Sequence, residues 1–459
     1  MTPEEFRRAA HETVDWMADY MAHIRDLPVL PIVSPGDLIR ALPTEAPLAP
    51  EPFEQILADF RSQIVPANSQ WNHPRFHAYF SVSGAPPGIL AEMLIATLNV
   101  NGMVWKSSPA ATELEQVTLG WLRDWLGLPQ EFFGVIHDTA SLSTMHALIA
   151  AREFAAPDSR ATGTPPGLVV YTSEHAHSSV EKGAIAIGIG QQYVRKVPTD
   201  DRYRMRPGAL ESMIEADRAA GLLPCCVCPT VGTTSIASID PVAEIGVIAR
   251  RENMWMHVDA AYGGNYAVVP QMAHLREGWA EADSLVVNPH KGLLTPIDLS
   301  VLYTRRPEVL RNALSLVPEY LRTATDSEAV NFMDYSVALG RRFRSLKLWF
   351  VLRSYGRAAL EKLLYDQLCM AQDLADWVRA DSRFVLAAPV ELSLVCFRLK
   401  AGDEASRALM DAINASGHAF LSHTVIDGRF LIRLAIGNYQ TTREDLRETW
   451  ARIQTLVPA

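Results

Sequence analysis

Short apolar runs alternate with helical patterns between residues 86 and 345, and few folds accommodate that order. GLVVYTS, CCVCPTVGTT, MWMHVDAAY and SLVVNPH are predicted strands. ALESMIEADRAA and VAEIGVIARREN are predicted helices among them. Parallel strands need a crossover to reach their neighbours, and helices usually supply it. The alternation therefore predicts a mainly parallel sheet with helices on both faces.

Outside that region the pattern changes. Phe6, Ala10, Thr13, Met17, Tyr20 and Ile24 recur at three- and four-residue steps, so residues 1–27 are predicted to form an amphipathic helix. Its apolar stripe needs the body of the protein or a second subunit to cover it. Prolines at 28, 31, 35, 43, 47, 50 and 52 predict a connector draped over the surface. Near the other end, RFVLAAPVELSLVCFRLK and FLSHTVIDGRFLIRLAIG have the pattern of antiparallel strands, with a turn at Asp427-Gly428. A last helix is expected from Thr441, with Glu444 completing a capping box. A chain of 459 residues is too long for one ordinary domain. The expected fold is α/β: an amino-terminal helical segment over 1–85, a large sheet domain over 86–345 and a smaller α+β domain over 346–459.

Composition narrows the partners. A formal net charge of -10 argues against nucleic acid or an anionic membrane surface as the main partner. No apolar run approaches the roughly 20 residues of a membrane span. The start, MTPEEFRRAA, is polar and lacks the apolar core of a signal peptide, so a cytoplasmic location is expected. Five cysteines suit a reducing compartment. Three of them crowd into Cys225-Cys226-Val227-Cys228, but no second ligand pair accompanies them; a buried strand is expected there, and no metal.

In open α/β sheets, ligands bind outside the carboxyl ends of the strands. Asp259 ends MWMHVDAAY, and Lys291 closes SLVVNPHK. His175 and His177 follow GLVVYTS, and Thr233-Thr234 follow CCVCPTV. HDTASLSTMHALIAA reads as a loop opening a helix, whose first N–H groups favour an anion such as phosphate. Singly, each feature has a bland explanation: a cap, a turn, a surface charge. Pyridoxal phosphate asks for all of them together: a lysine amine for a Schiff base, a carboxylate at its ring nitrogen, donors for its phosphate and a flat partner for its ring. Desolvation would lower the lysine pKa toward a nucleophilic amine.

At this point the chain resembles a family, the group II pyridoxal-phosphate decarboxylases, and most closely the aromatic-L-amino-acid decarboxylases. HPRFHAYF, SSPAATELE, HAHSSVEKG, GTTS, HVDAAYGG, NPHK and GRRFRSLKLWFVLRSYG carry the resemblance over nearly the whole length. It implies the type I pyridoxal-phosphate fold and an obligate homodimer, with the amino-terminal helix packed on the partner. It also implies roles. Lys291 resembles the Schiff-base lysine, Asp259 the partner of the pyridine nitrogen, and His177 the imidazole stacked on the ring. Ala140, Ser141 and Asn288 resemble the phosphate contacts, and Thr234 matches another cofactor-side residue. Ala261 packs on the ring face opposite the histidine, and His290 is the histidine kept beside the lysine. Tyr320 matches the tyrosine that reprotonates the former α-carbon, with His177 in support, and Tyr79 and Phe80 resemble substrate-pocket residues. The implied reaction converts an aromatic L-amino acid to its amine and carbon dioxide.

Two positions depart from the family's wording. Gly292 stands where a bulky tryptophan is typical, which is either a compensated packing change or extra room behind the cofactor. Val82 stands where a threonine is frequent near the substrate, and makes that wall more apolar. Rival readings stay open. An aldehyde synthase on the same scaffold commonly replaces the loop tyrosine or the stacking histidine, and both Tyr320 and His177 are present. An aminotransferase would want an arginine for the α-carboxylate, for which Arg433 is a candidate, although a structural ion pair explains it better. A non-catalytic binding protein would have no need of the lysine, aspartate, histidine and tyrosine together.

Overall fold

The computed structural model of the chain describes residues 1–316 and 329–457. Its main sheet has seven strands: β1 (Phe133–His137), β2 (Leu168–Ser173), β3 (Val194–Val197), β4 (Leu223–Cys228), β5 (Trp255–Asp259), β6 (Ser284–Val287) and β7 (Ser300–Thr304). Their order is β1-β7-β6-β5-β4-β2-β3. The pairs β2–β3, β2–β4, β4–β5 and β5–β6 are parallel, whereas β7 runs antiparallel to both β6 and β1. Reversing twice gives β1 the direction of β6. The carboxyl ends of β1, β2, β4, β5 and β6 and the start of β7 therefore share one edge of the sheet.

All four strands read from the sequence are present, but two end earlier than the apolar runs suggest. The run CCVCPTVGTT leaves the sheet after Cys228, and SLVVNPH leaves it after Val287. Pro229 and Pro289 follow directly or one residue on, and proline cannot donate to a ladder. The cysteine cluster lies in β4, fully buried and unbridged. Residues of that strand pack with Val170, Trp255 and Leu302 against Leu148 and Ala151 of the helix Ala140–Ala155. Each large apolar side chain buried there contributes about 1.5–3 kcal/mol.

The chain divides into two compact units. One comprises residues 82–375 and 386–395 and holds the seven-stranded sheet; the other comprises 1–81, 376–385 and 396–459. The second opens with the helix Pro3–Ala22, started by a capping box between Thr2 and Glu5 and containing no buried residue. Proline-rich residues 28–52 include one short helix, Asp37–Ala41. A four-stranded sheet follows the order β10-β11-β9-β8, with β8 Phe384–Leu386, β9 Leu394–Leu399, β10 Ser422–Ile426 and β11 Arg429–Ala435. The β10–β11 hairpin turns at Asp427 and Gly428, whose φ angles of 50° and 73° are the left-handed pair a two-residue turn requires.

The final helix, Arg443–Leu456, corrects the expected cap by one residue. Thr442 is the N-cap and Asp445 closes the box, with Asp445 N–H on Thr442 Oγ1 at 3.2 Å. Thr441 instead donates its hydroxyl to the Pro74 carbonyl at 2.6 Å, and Glu444 pairs with Arg447 in solvent. Asp445 wins because it also receives Arg25 at 3.0 Å and is buried.

Candidate active site

β5 and β6 are neighbours, so Asp259 and Asn288 leave the sheet side by side. Asn288 N–H donates to the Ala261 carbonyl at 3.1 Å, tying the two exits together. Asp259 is buried, and one of its carboxylate oxygens accepts the Ala261 N–H at 3.1 Å. Asn288 caps the four-residue helix Pro289–Gly292, which carries Lys291. Burial lowers the Lys291 pKa below the ordinary lysine value, and the Asp259 carboxylate pulls it the other way. Desolvation winning over an acidic neighbour is how a lysine is kept nucleophilic.

His290 is buried, and its Nδ1 accepts the Leu299 N–H at 3.0 Å. Burial, then the charge of Lys291, push its pKa down to about 3, so the ring stays neutral with its proton on Nε2. His177 lies beyond β2 with an exposed edge. Its Nδ1 accepts the Ser179 N–H at 3.1 Å, which puts the ring proton on Nε2. Its pKa is lowered, first by the protein around the ring; Asp259 opposes this, and Lys291 adds to it. The Asp259 carboxylate thus acts on both His177 and Lys291, and the Lys291 charge acts on His177, so the three lie within electrostatic reach. His175 does not join them as a stacking partner: it lies edge-on to Tyr203, with ring centroids 5.5 Å apart.

Ala140 and Ser141 are the first residues of the helix Ala140–Ala155, which starts at the same sheet edge, after β1. Thr139 precedes it without a side-chain capping bond, and its carbonyl takes the N–H groups of Leu142 and Ser143. An uncapped helix start presents amide donors and positive potential to an anion. Thr233 is buried and bonded to Ser238 at 2.8 Å, and Thr234 beside it is half-buried. Tyr79 and Phe80 belong to the other compact unit. There Tyr79, at a φ of 55°, stacks 5.8 Å from Trp71, and the Arg433 guanidinium lies 5.5 Å from the Phe80 ring centroid. Val82, half-buried, opens the sheet-bearing unit. Tyr320 lies outside the described residues.

Pyridoxal phosphate fits what these residues offer. The uncapped helix start supplies phosphate donors, a buried carboxylate suits a protonated ring nitrogen, and a desolvated amine suits an aldehyde. The Asn288 side-chain oxygen is buried without a hydrogen-bond partner, an acceptor that asks for a donor rather than for a phosphate oxygen. Among the described residues no cluster could hold a metal ion, and no helix is long and apolar enough to cross a membrane.

Gly292 is not a gap. A Cβ placed there would lie 2.5 Å from Cβ of Asn265, whose amide donates to the Tyr262 carbonyl at 3.0 Å. Asn265 fills the space, which decides for compensated packing. It and Arg344, which is bonded to Asp138 and Asp298, escaped the sequence reading. Arg344 stood inside the quoted run GRRFRSLKLWF, but nothing local to that run names its partners.

A family model described as the pyridoxal-dependent decarboxylase conserved domain matches residues 35–400. An aromatic-L-amino-acid decarboxylase of Catharanthus roseus is 39% identical, across 99% of this chain and 94% of that protein. A phenylacetaldehyde synthase of a Rosa hybrid cultivar is 38% identical, across 99% and 94%. The crystal structure of Oryza sativa TDC with PLP and tryptamine superposes with a TM-score of 0.97 at 36% identity, covering 100% of this chain and 98% of that one. The seven-stranded sheet is that of a fold type I pyridoxal-phosphate enzyme, and the chain belongs to the pyridoxal-dependent decarboxylases, carboxy-lyases that use pyridoxal phosphate.

Proposed function

We propose that this enzyme decarboxylates an aromatic L-amino acid, releasing carbon dioxide and the corresponding amine. The observation that carries the reading is a desolvated Lys291 at a strand end beside the buried Asp259 carboxylate, with His177 within reach of both charges. The aromatic class is supported by the likeness to an aromatic-L-amino-acid decarboxylase across nearly the full chain. Bound pyridoxal phosphate supplies an electron sink for the pair left on the α-carbon when carbon dioxide departs.

The protein's own residues do the rest. Lys291 would hold the cofactor through its amine, which burial keeps poised for that bond. Asp259, as a buried carboxylate, keeps the proton on the ring nitrogen. Ala140, Ser141 and Asn288 hold the phosphate, and Thr234, Ala261 and His290 complete the surround. His177 offers its ring face to the cofactor and its Nε2 proton toward the substrate side, because Ser179 occupies Nδ1. Tyr320 delivers the proton to the α-carbon, where the Cα–carboxylate bond has broken. Tyr79, Phe80 and Val82 are the proposed substrate residues.

We also propose a cytoplasmic homodimer. Leu90, Met93, Leu94 and Leu98 leave an apolar face of the helix Pro86–Leu98 in solvent, at 51%, 37%, 45% and 57% exposure. A second copy would cover such a face.

The test is a panel of aromatic and acidic L-amino acids scored for carbon dioxide, amine and peroxide together. Carbon dioxide and amine in equal amounts from an aromatic substrate are expected. Turnover of acidic amino acids alone overturns the substrate class. The likeness to a phenylacetaldehyde synthase supports a second reading, in which oxygen intercepts the carbanion; peroxide and aldehyde in place of amine would favour it. Tyr320→Phe is expected to slow amine formation about a hundredfold, the scale of general acid catalysis, and to raise aldehyde output.

A further inference from the structure

The residues proposed to hold the two ends of the cofactor belong to two separate chain segments. The phosphate end rests on the helix start at Ala140 and Ser141, the aldehyde end on Lys291. Both segments leave the same corner of the sheet, because His137 at the end of β1 pairs with Ser300 at the start of β7. A buried bond between Ser143 Oγ and Ser300 Oγ, 2.8 Å long, joins them once. Arg344 joins them a second time. Its Nη2 lies 2.7 Å from Asp138 Oδ1, and its Nε donates to Asp298 Oδ1 at 2.8 Å.

Asp138 directly precedes the cap residue Thr139 of the phosphate-side helix. Asp298 closes the lysine segment, since the next residue, Leu299, donates its N–H to His290 beside Lys291. One guanidinium therefore spans both segments. Arg344 is only 12% exposed, whereas Asp138 and Asp298 are 45% and 30% exposed. Solvent screening discounts the ion pairs as stabilisers of the whole fold. A planar fork with two fixed directions remains a good spacer between two carboxylates.

We propose that Arg344 is a positioning residue that sets the distance between the phosphate-holding and lysine-holding segments, and so the affinity for pyridoxal phosphate. This rests on the assignment of Lys291, Ala140 and Ser141 to the cofactor. Arg344 touches neither cofactor nor substrate; it acts through Asp138 and Asp298.

The test measures the dissociation constant of pyridoxal phosphate by titrating full-length apo-protein and following the visible band, alongside the melting temperature of the apo form. Arg344→Met is expected to weaken binding about tenfold or more, the scale on which residues behind a bound group act. Arg344→Lys should restore only part, because one ammonium lacks the fork. Asp138→Asn, at a half-exposed position, is expected to weaken binding when Arg344 is present and to add nothing in the Arg344→Met background. It keeps the test open should Arg344→Met not fold. Binding by Arg344→Met within twofold of the parent overturns the proposal, as does an Asp138→Asn effect undiminished in that background. Borohydride labelling of the parent separates the two failures. A parent unlabelled at Lys291 overturns both the site assignment and the bridge; a labelled parent with unweakened Arg344→Met overturns the arginine's role alone.

Discussion

Lys291 and Gly292 show how far apart two adjacent positions stand in what decides them. Lys291 is governed by burial against one carboxylate, a balance legible from an apolar strand that ends in a lysine beside another that ends in Asp259. Gly292 is governed by Asn265, which touches it only because the chain folds back between β5 and β6. No spacing rule announces that contact. Gly292→Ala is expected to destabilise the protein by about 1–3 kcal/mol, the cost of overpacking a filled site, measured as a lowered urea midpoint. Asn265→Ala in the same chain should recover part of the loss. A neutral Gly292→Ala would mean that the space is open after all.

At the scale of elements, local chemistry was legible where one segment carries its own signal. The Asp427-Gly428 hairpin is the clearest case, because a left-handed pair between alternating strands has one common solution. β1, β3 and β7 were missed because their character comes from their neighbours: β3, VRKV, is half-exposed at the sheet edge, and β7 is a short antiparallel strand amid parallel ones. The final helix cap was misplaced by one residue because two threonines and two acids stand in register, and only Arg25 chooses between them. Asp445→Ala is accordingly expected to cost about 1–2 kcal/mol in unfolding free energy, and Glu444→Ala less than about 0.5. The reverse ranking would restore the cap at Thr441. The Glu115–Arg341 pair, 2.8 Å apart and buried, clamps the backbone of Ile136 in β1 from both its N–H and its carbonyl. Glu115→Ala should cost about 3–5 kcal/mol in the same measurement, since it strands a buried guanidinium.

For the whole molecule, buried histidines set the acid limit. Burial pushes His73, His77 and His257 down to about 4, and His290 to about 3. Folded pKa values below the unfolded value of about 6.5 mean stability that is present above that pH and lost as pH falls toward 4. Asp240 works the other way: burial raises it to about 7, so it releases a proton on unfolding at pH 5. His137, pushed well below the ordinary value by burial, takes up a proton on unfolding as well, so uptake outweighs the one proton Asp240 releases and stability falls as pH falls through 5. Urea unfolding between pH 4.5 and 6 checks this; stability that stays level or rises on acidification contradicts it. The motifs proposed the residues; the strand order sets the ends of the strands that carry Asp259 and lead to Lys291 side by side. The most direct measurement of the central claim is borohydride reduction of the holoenzyme followed by peptide mass spectrometry. The expected result is a single pyridoxyl label on the peptide carrying Lys291, absent from Lys291→Ala. A label on a different lysine, or one retained in Lys291→Ala, contradicts it.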